Sequence, residues 1–162
     1  MQSSTKKLTT TAILIAVSMI LSYLEMLLPI SYGFPGVKLG LANLVIVVSI
    51  YMYGPINALI ISILRVILMS ITFGNMTILM YSLVGALFGI SFMIISKRVL
   101  SLSIIGVSIV GGVFHNVGQL LVAMLFISNF KILYYLPILL IFGLVSGFII
   151  GLLSKLVYAR LR

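Results

Sequence analysis

Hydrophobic residues run along this chain in six long blocks, broken at short intervals by glycine, proline, serine, asparagine and basic residues. The breaks fall at 31–37 (SYGFPGV), at Gly54-Pro55, at Gly74-Asn75, at Lys97-Arg98 with the serines after it, and at 129–131. Between them lie apolar stretches of about 8–30, 38–53, 56–73, 76–96, 103–128 and 133–159. A membrane-spanning helix needs about 20 residues, within a range near 17–25. The second and third stretches are short by that measure, so they are expected to be tilted, partly shielded or completed by flanking residues. Backbone polar groups surrounded by lipid need partners within their own segment, which makes each stretch a predicted helix. Local signals agree: Pro55 suits the first turn of a helix, and Pro137 sits early in the last one. The predicted fold is all-α, with residues 1–162 forming one compact polytopic bundle of six transmembrane helices.

Composition supports a membrane setting. Of 162 residues, 63% are hydrophobic and 7% charged, and the mean hydropathy is +1.41. Soluble domains carry roughly 25% charged residues. There is no Cys and no Asp, and Glu25 is the single acid. Disulfides, thiolate catalysis, paired-carboxylate chemistry and aspartate-rich Mg²⁺ sites are therefore excluded, and one His does not make a zinc site. No catalytic residue, metal or cofactor is expected. The net charge of +9 is scattered between apolar spans and forms no stripe for nucleic acid. The first apolar run is too long for a signal-peptide core and is read as a retained helix. With six helices, Lys6, Lys7, Lys97, Arg98, Lys155, Arg160 and Arg162 share one face, against Lys38 and Lys131 on the other. Seven against two follows the positive-inside rule and predicts cytoplasmic termini in a cell membrane.

Against this background the polar residues inside the spans stand out. An Arg at mid-helix costs about 2.5–3.5 kcal/mol on insertion scales. Arg65 sits ten residues past Pro55, about 15 Å from the inner end at 1.5 Å per residue. Its guanidinium contacts a carboxylate- or phosphate-like ligand through its planar fork, pairs with Glu25, or meets a lipid headgroup. Glu25, near the outer end of the first helix, and Lys38, opening the second, are either interfacial charges or a pair at the mouth of a site. On the fifth helix, His115 and Gln119 share a face and Asn116 lies beside them, flanked by Gly111, Gly112 and Gly118. Asn43 on the second helix is a further candidate. The expected substrate-binding set is thus Glu25, Lys38, Asn43, Arg65, His115, Asn116 and Gln119. The outer loop 31–37 is either a connector or a lid, with Tyr32 and Phe34 as contact surfaces and Gly33 and Gly36 as hinges. Small residues recur four apart at Ala12/Ala16, Gly85/Gly89 and Gly143/Gly147/Gly151, a spacing that lets helix backbones approach closely. For the glycines, internal packing is the expected use.

Glu25 with Leu28-Pro29, Pro35-Gly36-Val-Lys38-Leu-Gly40-Leu-Ala42-Asn43, Arg65, Ser82-Leu-Val-Gly85-Ala86 and His115-Asn116-Val-Gly118-Gln119 together resemble one bacterial membrane family. It is known both as heptaprenyl diphosphate synthase component I and as a Gx transporter. The likeness extends from the first helix to the end of the fifth. That family is in turn similar to the S components of energy-coupling factor (ECF) transporters, six-helix subunits that capture vitamins and related micronutrients. The resemblance implies docking of an Ala-x-x-x-Ala stripe, here Ala12 and Ala16, onto a transmembrane coupling subunit driven by two ATPases. It also implies that the first outer loop closes over substrate. Three functions follow as expectations. The first is a substrate-binding subunit of an importer for a small vitamin-like or anionic micronutrient. The second is a non-catalytic membrane partner of isoprenoid or quinone synthesis that holds a prenyl diphosphate. The third is an autonomous carrier or channel, which the absence of a clear internal repeat disfavours.

Overall fold

The computed structural model of the chain describes residues 4–27, 39–128 and 130–161. Its elements are α1 (Ser4–Leu27), α2 (Leu41–Met52), α3 (Pro55–Phe73), α4 (Met76–Arg98), α5 (Ile104–Ile127) and α6 (Leu136–Leu161), with a 3-10 segment at Phe130–Tyr135 leading into α6. Local chemistry sets several of these boundaries. Pro55 occupies the start of α3, where its missing N–H has no helical partner to lose. Asn75 and Ser103 cap α4 and α5, their side chains accepting from the amides of Ile78 and Gly106.

Five of the helices are long and apolar enough to cross a membrane. The chain is a multi-pass membrane protein. α2 differs from the expected second span. It has 12 residues, so it is about 18 Å long at 1.5 Å per residue, against a hydrocarbon core of roughly 30 Å. It is apolar around most of its circumference and heavily buried, with seven of its residues in the interior, as suits a helix enclosed by neighbours.

A short, enclosed helix leaves its terminal amides and carbonyls where water is scarce. Charged side chains from two other helices meet them. Glu25 of α1 accepts from the amides of Gly40 and Leu41 at 2.6 and 3.2 Å. At the opposite end the Lys97 ammonium donates to the Ile50 carbonyl at 2.8 Å and sits 4.1 Å from the Tyr51 ring centroid. The anion lies at the positive end of the helix dipole and the cation at the negative end.

The two halves of the bundle differ. Toward the Lys97 end, Val45, Ile46, Val47 and Ile50 of α2 pack with Ala58, Ile61, Ile90, Met93 and Val107 into a continuous apolar core. Toward the Glu25 end, that core gives way to polar side chains. Around the bundle, α1 contacts α2 and α3, α3 contacts α4, α5 lies between α4 and α6, and α6 returns to α2. The glycines expected to serve packing lie at these joints. A Cβ built on Gly147 would stand 2.7 Å from Ile109 Cα, and one on Gly151 would stand 2.8 Å from Ile105 Cα.

Candidate functional site

Arg65 lies within α3, next to Val66 and between Ser62 and Met69 on the buried face of that helix. Its Nη1 donates to Ser22 Oγ of α1 at 3.1 Å. Its Nε is enclosed and has no hydrogen-bond partner. Among the described residues no ion pair joins Arg65 to Glu25, whose carboxylate is held by the amides at the start of α2. The two residues therefore do separate things rather than neutralise each other. Glu25 caps a helix, and Arg65 keeps an unsatisfied donor.

Gly40 makes that cap possible. Its backbone is left-handed, φ +76°, and a side chain here would be strained. A Cβ on it would also come 3.1 Å from Asn43 Nδ2. The turn thus aims two amides at Glu25 and leaves Asn43 facing the bundle interior.

The polar patch on α5 is set in place by glycines of its neighbours. A Cβ on Gly85 of α4 would stand 2.9 Å from Gln119 Cγ and 3.1 Å from His115 Cε1. One on Gly143 of α6 would stand 3.1 Å from Asn116 Nδ2. Asn116 Nδ2 donates to the Leu139 carbonyl of α6 at 2.8 Å, fixing which way the amide points.

These side chains converge on one cavity of about 70 Å³, lined in part by Glu25, Gly40, Asn43, Arg65, His115, Asn116 and Gln119. One water needs roughly 10–15 Å³ by the same measure, so the space admits several heavy atoms. Six of the seven residues expected to bind substrate thus share one wall. Lys38 lies outside the described residues, as do the lid residues Tyr32, Gly33, Phe34 and Gly36. The structure adds Ser82, Ser108 and Ser146 to the lining. Ser82 was legible only as part of a motif, and the other two had no signal to separate them from serines used in helix packing.

Among the described residues the lining offers one guanidinium, one carboxylate, three primary amides, an imidazole and hydroxyls. That set both donates and accepts hydrogen bonds in many directions and carries one charge of each sign. It suits recognition of a small polar molecule. Among the described residues no group of three or more His, Cys, Asp or Glu side chains is placed to hold a metal ion. Ala12 and Ala16 are absent from the cavity lining and are exposed on α1, alongside Leu8, Ile13 and Ile20.

A family model described as heptaprenyl diphosphate synthase component I matches residues 14–157. No curated protein and no solved structure matches the chain.

Proposed function

This chain belongs to the heptaprenyl diphosphate synthase component I family, and on that footing we propose that it is the substrate-binding membrane subunit of an ECF-type importer. One observation carries this reading: six polar side chains from four helices surround a single cavity inside an otherwise apolar bundle. Polar groups at membrane depth persist where a ligand or partner satisfies them. Arg65, with its enclosed and unpartnered Nε, holds an anionic group of the substrate. Asn43, His115, Asn116 and Gln119 hold its remaining polar atoms. Substrate enters from the outer side of a bacterial plasma membrane, and both termini are cytoplasmic. The loop 31–37 closes over it.

The energy for movement comes from partners, since the sequence has no phosphate-binding P-loop. Ala12 and Ala16 supply a flat, outward-facing patch on α1 for a transmembrane coupling subunit carrying two ATPases. Coexpression with a coupling module tests this directly. Ala16→Trp abolishes uptake and co-purification while leaving retained substrate at the wild-type level. Parallel loss of both counts against a docking patch separate from the binding site.

The family description is also compatible with a second reading, a non-catalytic membrane partner of prenyl diphosphate synthesis. Chain elongation on an allylic diphosphate needs carboxylate-bound Mg²⁺. The single acid of this chain is already engaged in capping α2. Any such role therefore consists of binding, with the reaction on another subunit. Retention of a prenyl diphosphate, unaffected by removing the ATPases, selects this reading over the first.

A further inference from the structure

A second cavity of about 120 Å³ adjoins the polar one. The two share Glu25, Arg65 and Ser82 as a common wall. Their chemistry differs. Beyond the wall the lining is mainly Met26, Val66, Met69, Phe73 and Ile78, with Ser22 and Ser70 as the polar additions. Three of these residues, Met26, Phe73 and Ile78, are about half exposed on the outer surface of the bundle, at 50%, 49% and 41%. Among the described residues the backbones of α1 and α4 do not pack against each other. The second cavity is therefore a cleft between those helices, floored by α3, whose outer rim opens at the bundle surface.

We infer that the ligand is a head-and-arm molecule: a hydrogen-bonding head with one negative charge in the polar cavity, and a short apolar arm in the cleft between α1 and α4. This rests on the substrate-binding reading and deepens it. Arg65 stands where head and arm join. Its Nη1 is tied to Ser22 on the cleft side, and its Nε–H is enclosed and unpartnered. A carboxylate or singly charged phosphate ester suits the guanidinium of a residue that lines both cavities. Higher charge is disfavoured, because the Glu25 carboxylate occupies the same wall and, among the described residues, Arg65 is the only Lys or Arg in either lining. A compact, fully polar solute fills the first cavity and leaves the apolar one without contacts. A head-and-arm molecule fills both.

The test uses a hexanoate bearing a diazirine near its far end, photolysed with the full-length protein in nanodiscs, followed by peptide mapping. The expected label falls on Met26, Val66, Met69 and Phe73. It is competed by excess hexanoate and not by hexanol, which has the arm without the charge. Arg65→Gln lowers it about tenfold or more, the loss expected for one charge-assisted contact. Met69→Trp, which fills the cleft and leaves Arg65 in place, removes the hexanoate label while a diazirine-bearing propanoate still labels α5. Label spread over the outer faces of α1 and α6, equal with hexanol present and insensitive to both substitutions, overturns the proposal. Photolabelling needs neither uptake nor ATPases, so it stands or falls separately from the importer reading. Cleft labelling without ATPase-dependent uptake removes only the importer, and uptake of a compact solute without cleft labelling removes only the arm.

Discussion

Arg65 and Glu25 set the character of the site at the scale of single residues, and their tasks differ. Glu25 closes the amides of Gly40 and Leu41, so Glu25→Ala is expected to cost about 1–2 kcal/mol, the upper range for a lost helix cap. Glu25→Gln costs less, since the amide oxygen still accepts. Thermal unfolding in nanodiscs measures both. Arg65→Ala removes the one guanidinium of the cavity and is expected to abolish ligand retention, with Arg65→Lys retaining a fraction because a point charge replaces a planar fork. Retention unchanged in Arg65→Ala, in protein that still folds, contradicts a ligand role. Much of this was legible in sequence, because Glu25, Arg65, His115, Asn116 and Gln119 are polar inside apolar stretches. The serines were not. Ser18 and Ser96 donate to carbonyls three residues earlier in their own helices, as serines in apolar helices commonly do. Nothing in sequence distinguishes them from Ser108 and Ser146 at the cavity, and Ser82 is marked only by the motif that contains it.

Among the elements, α2 depends most on its neighbours. Its length was anticipated as short for a span, but not the remedy. The caps come from Glu25, 15 residues before Gly40, and from Lys97, 47 residues after Ile50, and no local pattern announces partners at such distances. Lys97→Met is expected to destabilise the bundle by about 1–3 kcal/mol, because it leaves the Ile50 carbonyl without its charged donor. Hydrogen exchange localises the effect to the C-terminal turn of α2. The glycine stripes were better read. Gly85/Gly89 and Gly143/Gly147/Gly151 all lie where a Cβ would meet a facing helix at 3.0 Å or less. Gly147→Leu is expected to force α5 and α6 apart, at about 1–3 kcal/mol or more for overpacking. Gly85→Val pushes instead on His115 and Gln119, so its larger effect is on ligand retention than on the unfolding midpoint.

For the whole molecule, the arrangement is an apolar core at the Lys97 end and a polar cavity toward the Glu25 end. The hydrophobic pattern gave the membrane class and the helix order. It could not give the ring of helix contacts, in which α1 meets α3 and α6 returns to α2, because apolar helices all present lipid-compatible faces and their partners are chosen by small-residue fit. That ring leaves most of α1 exposed, and with it Ala12 and Ala16. With the proposed docking patch and the proposed binding cavity on different parts of one bundle, separable defects are the expected behaviour. The most direct measurement is mass spectrometry of small molecules released from protein purified gently in nanodiscs. A single compound at near-stoichiometric yield, kept by Ala16→Trp and lost from Arg65→Ala, is expected. The same yield from Arg65→Ala, or no bound compound in any form of the folded protein, contradicts a substrate-binding cavity built around Arg65.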